Sequence, residues 1–196
     1  MNIDILEAIQ SRRSIHSFSE KLVEKNTLVD IFDHASWAPN HFMKQPWNVK
    51  MYQQAGKERF VKAIMNSYER LGMIQHNDED KMKKMKQLIE SFLLKIPHHA
   101  LIYLPKSTDP IRSEEEYAAV CAFIQNAQLV GWKYKVGMLW TITPYMHDPL
   151  FIEEIGLDDK KFKIAAVLQV GYPEKIPEAK ERIDIEQKLD FVSDAW

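Results

Sequence analysis

The chain has 196 residues, 45% of them hydrophobic and 28% charged, with 26 basic against 28 acidic residues and a formal net charge of −2. That balance suits a globular protein with a real core, and it excludes the basic excess that nucleic-acid or anionic-membrane binding needs. The lone Cys121 excludes an intrachain disulfide framework and a cysteine-rich metal site, and no window approaches the roughly 20 apolar residues of a membrane span.

The opening MNIDILEAIQ carries acidic residues and no long apolar run, so no signal peptide is expected and a reduced, cytoplasmic setting is. Residues 3 to 12 read as a short helix with Ile5, Leu6 and Ile9 on one face. A second helix is expected from Asn26 or Thr27 as N-cap, carrying Leu28, Ile31, Phe32 and Ala35 and ended by Pro39. A strand follows over Trp47 to Tyr52. Two helical stripes come next, one from Phe60 to Leu71 and one from Met82 to Ile96, with Asn77 or Asp78 as the cap between them. The methionines at 82 and 85 read as core or interface filler. HALIYL (99–104) reads as a strand. Residues 113 to 136 form the most apolar helix, with Glu114, Glu115 and Glu116 in its first turn; its nearly all-round apolar surface points to a large core or a subunit interface. GMLWTIT (137–143) reads as strand and turn, DPLFIEEIGL as a short helix, and FKIAAVLQVGYP as a buried strand. The tail after Pro173 has no core of its own, yet Leu189, Phe191, Val192 and Trp196 need something to pack on. The order predicts an α+β fold, a small central sheet wrapped by helices, and not a doubly wound sheet.

The motif search narrows the chemistry. No GxGxxG follows a strand, and GxxxxGK[ST], HExxH and GxSxG are all missing. His98 and His99 are adjacent and face opposite sides of a strand, which makes them a poor metal pair. The arginines are few, and Arg12 and Arg13 stand together at the end of the first helix, followed by Ser14. Forked guanidinium donors with a hydroxyl suit a phosphate; alone, two cations at a helix C-terminus more often just complement its dipole. The proline-bounded loop from Trp37 to Trp47 gathers ring surfaces and hydrogen-bonding groups suited to a flat heteroaromatic ligand, although Trp47 by itself reads as a core anchor.

Residues 11 to 49, SRRSIHSFSEKLVEKNTLVDIFDHASWAPNHFMKQPWNV, resemble the N-terminal signature of the nitroreductase family: Arg-Arg-Ser leading to Phe18, a helix ending in Ala-Pro, and Gln-Pro-Trp opening the first strand. The resemblance continues more loosely through the apolar helix, GMLW and VGYP to Lys180-Glu181-Arg182, and so spans nearly the whole chain. It implies one nitroreductase-like domain over 1–196 with a mostly antiparallel sheet, and a C-terminal arm (173–196) packed on the partner of a homodimer. It implies FMN as cofactor, NAD(P)H as electron donor, and a small-molecule acceptor such as a nitroaromatic or quinone, used in turn at one place by a ping-pong cycle with no dedicated catalytic acid or base. The cofactor residues it implies are Arg12, Arg13, Ser14 and Arg182 at the phosphate, Leu139, Trp140 and Thr141 at the ring edge, and Trp37, His41 and Gln45 near the flavin, Trp37 and His41 from the partner. The sequence departs from the family at His16 and Ser17, Asn40, Met43 and Thr141-Ile142-Thr143, positions toward the ring more than the phosphate. Those departures leave open a flavoprotein of the same fold used for storage or oxidative chemistry. A helical interaction protein built on the 113–136 helix is the reading from another class.

Overall fold

The computed structural model describes residues 4–75 and 78–193; Asn77 and Trp196, weighed above as a cap and a packing residue, lie outside them. The elements are α1 (Ile5–Ser11), α2 (Lys25–Ala35), β1 (Asn48–Tyr52), α3 (Gln54–Arg70), α4 (Glu79–Lys95), β2 (His98–Pro105), α5 (Pro110–Lys133), β3 (Gly137–Thr141), α6 (Pro149–Glu154) and β4 (Phe162–Gly171). The strands form one antiparallel sheet in the order β1-β2-β4-β3. The α+β architecture expected from the sequence is the one observed.

The two central strands are apolar on both faces because both faces are covered. On one face α2 and α5 bury Leu28, Ile31, Val120, Phe123 and Ile124 against Ala100, Ile102, Ala166 and Leu168. On the other, α3, α4 and α6 bury Phe60, Ile64, Leu93 and Phe151 against Leu101 and Val167. Trp47 is the core anchor expected of it: partly buried, its ring stacks on Phe123 at 5.0 Å, a pair worth about 0.5–1.5 kcal/mol beyond area burial.

Several boundaries differ from the sequence reading. α2 starts at Lys25 behind Glu24, which makes no side-chain cap, and it stops at Ala35, four residues before Pro39, where the Ser36 hydroxyl donates to the Asp33 carbonyl. α5 starts at Pro110, with the Asp109 side chain accepting from the Ile111 and Arg112 N–H groups. That N-cap followed by proline is a strong start signal, so Glu114 to Glu116 fall beyond the first turn and have other roles. The apolar face of α1 is not buried: Ile5, Leu6 and Ile9 are exposed, as are Leu189, Phe191 and Val192 of the tail. Among the described residues, none of these side chains is buried.

The two histidines at the start of β2 do point to opposite faces, and both are fully buried. His98 Nε2 accepts from the Val23 N–H at 2.9 Å, while His99 Nε2 lies 3.0 Å from the Leu93 carbonyl. Burial, then the charge of Lys57, holds His98 down to about 4; burial does the same to His99 against the pull of the Leu93 carbonyl. Both rings are therefore neutral in the folded protein, whereas an unfolded chain protonates them below about 6.5. Their contribution to stability is complete above pH 6.5 and is lost as the pH falls toward 4, at up to about 1.4 kcal/mol per pH unit for each ring. Urea midpoints are expected to drop between pH 7 and 4.5, and to drop less steeply when both histidines are replaced by glutamine; an equal slope in that variant assigns the acid sensitivity to other groups.

Candidate functional site

After α1 the chain turns out of the helix at Arg12 and runs extended. The exposure alternates as a strand's does, Ser14 and His16 outward and Ile15 fully buried. This segment lies along the outer edge of β3: Ser14 pairs with Met138 in a parallel bridge, and the Ile15 N–H donates to the Met138 carbonyl at 3.2 Å. Gly137 makes the approach possible. A Cβ there would sit 2.4 Å from Ile15 Cγ1 and 2.9 Å from Pro173 Cγ. The first residues of the tail close the third side, through a bridge between Phe18 and Pro173 and the Glu174 N–H donating to the Ser17 carbonyl.

The result is a cavity of about 470 Å³ lined by Arg12, Arg13, Ser14 and His16 from the front of the chain and by Pro177, Glu178, Lys180 and Arg182 from the tail. The two arginines divide the work. Arg13 Nη1 donates back to the carbonyls of Gln10 and Arg12 at 2.7 and 2.8 Å, so it serves the helix end as a bland reading would have it. Arg12 does not. One of its terminal nitrogens donates to Gln128 Oε1 at 3.3 Å, and its buried Nε has no partner among the described residues. Burial first, and then the charges of Arg13 and Arg182, press its pKa downward. Three arginines and Lys180 line this cavity with one acidic residue, Glu178. An anion relieves that concentration of like charge, and a forked guanidinium with a hydroxyl suits phosphate oxygens.

Leu139, Trp140 and Thr141 sit beyond this cavity on the same edge strand. Leu139 packs into the α3 side of the core and Trp140 into the α5 side, while the Thr141 hydroxyl donates to the Val167 carbonyl at 2.8 Å. Their side chains are thus structural. What they offer is main chain: the Met138 carbonyl points outward to Ile15, and antiparallel alternation turns the Trp140 N–H to that same open edge.

Trp37 and Gln45 are not brought to the cradle. They line a separate cavity of about 590 Å³ with Ala38, Pro39, Asn40 and Met43. His41 lies beside it, stacked on Phe42 at 4.0 Å and 3.1 Å from Glu115, and Lys44 pairs with Glu116 at 3.1 Å. Glu115 and Gln128 are some thirteen residues apart on α5, roughly 20 Å along its axis, so loop and cradle sit at different ends of one helix. The loop is held under strain. Phe42, Met43 and Gln45 all have positive φ (53°, 51° and 46°), Asn40 Oδ1 accepts from the Gln45 N–H at 2.9 Å, and the Trp37 side chain stands 85% exposed. Non-glycine residues in this region cost about 1–3 kcal/mol each, and such strain clusters at functional positions. Gln128 was missed in the sequence; its only signal is an amide standing in the apolar stripe that contains Ile124 and Gly131.

The chain's likeness to known proteins bears on this geometry. The model of the nitroreductase family matches residues 9–172. A Bacillus subtilis protein with the provisional name NAD(P)H nitroreductase YfhC is 27% identical over 93% of this chain and 91% of its own length. The crystal structure of a nitroreductase-like family protein from Bacillus cereus superposes with a TM-score of 0.87 at 34% identity, covering 98% of both chains. The FMN-dependent nitroreductase NfnB from Mycobacterium smegmatis, solved with NADPH, shares the fold at a TM-score of 0.72 and 16% identity, over 96% of this chain and 100% of its own. The chain belongs to the nitroreductase family.

The Gly137 contact makes a direct prediction. Gly137→Ala is expected to cost about 1–3 kcal/mol, the usual penalty for overpacking, and to speed amide exchange at Ile15. Unfolding free energy and Ile15 exchange equal to those of the parent would show that the edge has room to give.

Proposed function

We propose that the chain binds FMN with its phosphate in the Arg12 cradle and uses it to pass electrons from NAD(P)H to nitroaromatic, quinone or related small-molecule acceptors. The observation that carries this reading is the buried Nε of Arg12, without a partner among the described residues, beside a cavity lined by Ser14, Lys180 and Arg182. The residues present fit the group: the cations and hydroxyl suit a phosphate dianion, and the adjoining open edge of β3 offers main-chain donors to a flat ring system. When bound, FMN supplies two-electron exchange, which no side chain here provides.

Each residue then has a task. Arg12, Ser14 and Arg182 neutralise and orient the phosphate, and Arg13 fixes the turn that presents them. The main chain of Leu139, Trp140 and Thr141 borders the ring. In a homodimer, Trp37, His41 and Gln45 of a second copy cover the ring and keep water from it, which accounts for an aromatic side chain left so exposed. The exposed apolar residues of α1 and the tail account for the dimer itself, with 1–196 as one domain and 173–196 as an arm across the partner. Donor and acceptor use the same covered surface in turn, so the kinetics are ping-pong. Among the described residues no helix is long and apolar enough to cross a membrane, and Cys121 is a free thiol; the cytoplasm, with its supply of NAD(P)H, is the fitting compartment.

Purified protein is expected to be yellow, to bleach anaerobically with NADH or NADPH, and to recover colour on addition of a quinone or nitroaromatic. Protein that stays yellow with both donors is instead a flavoprotein without a reductase role. Arg12→Ala and Arg182→Ala should each weaken FMN binding about 10- to 100-fold, the worth of a charge-assisted hydrogen bond, as read by flavin fluorescence titration. Parent affinity in both would remove the phosphate from this cavity. A chain ending at Arg182 is expected to lose dimerisation and FMN together in analytical ultracentrifugation; a stable dimer with a full complement of FMN contradicts the role given to the arm.

A further inference from the structure

A carboxylate with four hydrogen-bond donors lies outside the cradle. Asp148 is 7% exposed and sits at the end of the turn that follows β3. Its Oδ2 accepts from the Ser67 hydroxyl at 2.6 Å and from Arg70 Nε and Nη2 at 3.0 and 2.7 Å; its Oδ1 caps α6 through the Leu150 N–H at 3.0 Å. Arg70 Nη1 goes on to Glu154 Oε1 at 2.7 Å, and Asn66 Nδ2 reaches the other oxygen of Glu154 at 3.1 Å. One arginine of α3 therefore grips both ends of α6. Burial alone would raise the Asp148 carboxyl, but the bonds from Ser67, Arg70 and the Leu150 N–H more than offset it and hold it below the usual carboxylate range. Ser67 is itself fully buried.

Well-packed apolar side chains stabilise such an interface as well as a buried ionic network does, so stability alone does not account for one here. Its position suggests another role. The segment it holds begins one residue after Thr141, at the end of the edge strand that borders the proposed ring site. That segment contains no glycine between Met138 and Ile155, and Tyr145 within it packs between Tyr68 of α3 at 5.6 Å and Phe151 of α6 at 4.8 Å.

We propose that Asp148, held by Ser67 and Arg70, is a positioning residue: it fixes the 142–148 turn so that the main-chain donors at the end of β3 keep one orientation toward the flavin ring edge. The inference rests on the FMN reading above. A donor held in place favours the ring in its electron-rich reduced form, and a loosened one gives up that preference.

The test uses Asp148→Asn, which keeps size but loses the charge that Arg70 grips, read in two ways. In FMN-loaded protein, reduced flavin is expected to lose about tenfold in binding relative to oxidised flavin, the worth of one oriented donor, which for a two-electron couple lowers the midpoint potential by about 30 mV. In flavin-free protein, the amides of residues 141–143, 145 and 146 should exchange at least tenfold faster while those of β2 keep the parent rate. Should Asp148→Asn not fold, Arg70→Lys carries both measurements, because one ammonium does not span Asp148 and Glu154. A parent potential with exchange raised uniformly, or not raised, overturns the positioning role and leaves the FMN reading intact. Failure of the parent protein to bind FMN overturns both.

Discussion

The site depends on one edge contact, the Ile15 N–H donating to the Met138 carbonyl. The bond itself contributes only about 0.5–1.5 kcal/mol. What secures it is the fully buried Ile15 side chain, worth about 1.5–3 kcal/mol, set between two outward-facing neighbours. Because the segment is extended, anchoring Ile15 inward obliges Ser14 and His16 to face the cavity. The position of the cationic cradle is therefore set by an apolar residue that lines no part of it, and by a glycine across from it that leaves room.

β3 lies between two polar centres of opposite character. On one side Arg12 has a buried donor with no partner among the described residues and cations for neighbours; on the other Asp148 accepts from Ser67, Arg70 and the Leu150 N–H at once. Low-dielectric surroundings make both arrangements consequential, because an unpaired buried polar group is costly and a satisfied one is rigid. The first arrangement suits a place where charge is brought in from outside, and the second suits a support that must not move. That the strand between them presents main chain at its open edge, and commits Leu139 and Trp140 to the core, agrees with this division.

Much of this was legible in the sequence, and what was not has identifiable reasons. The continuous apolar run of β4 and the stripe of α5 announced themselves through periodicity and length. The start of α5 did not, because Ile111 and Arg112 are exposed and carry no periodic signal; only the Asp-Pro pair marked it. Ile5, Leu6 and Ile9 read correctly as a face but not as an exposed one, since hydrophobicity does not tell burial within a chain from burial between chains. Arg12, Ser14 and Arg182 emerged through a family pattern, whereas the Arg70 to Asp148 clamp, with its partners 78 residues apart and no motif to join them, was invisible. The division of roles between Arg12 and Arg13 was equally hidden, because it turns on which guanidinium bends back to the helix carbonyls.

The cradle also has a place in time. Its walls come from residues 12–16 and 177–182, joined across residue 138. Nearly the whole chain separates the first arginine from the last, so the cavity closes only after the sheet has formed and the tail has left the ribosome. Until then Arg12 and Arg13 are simply two cations after a short exposed helix. The anion proposed to bind there would meet its assembled site only in the folded chain, as a seal on a completed structure and not as a template for building it.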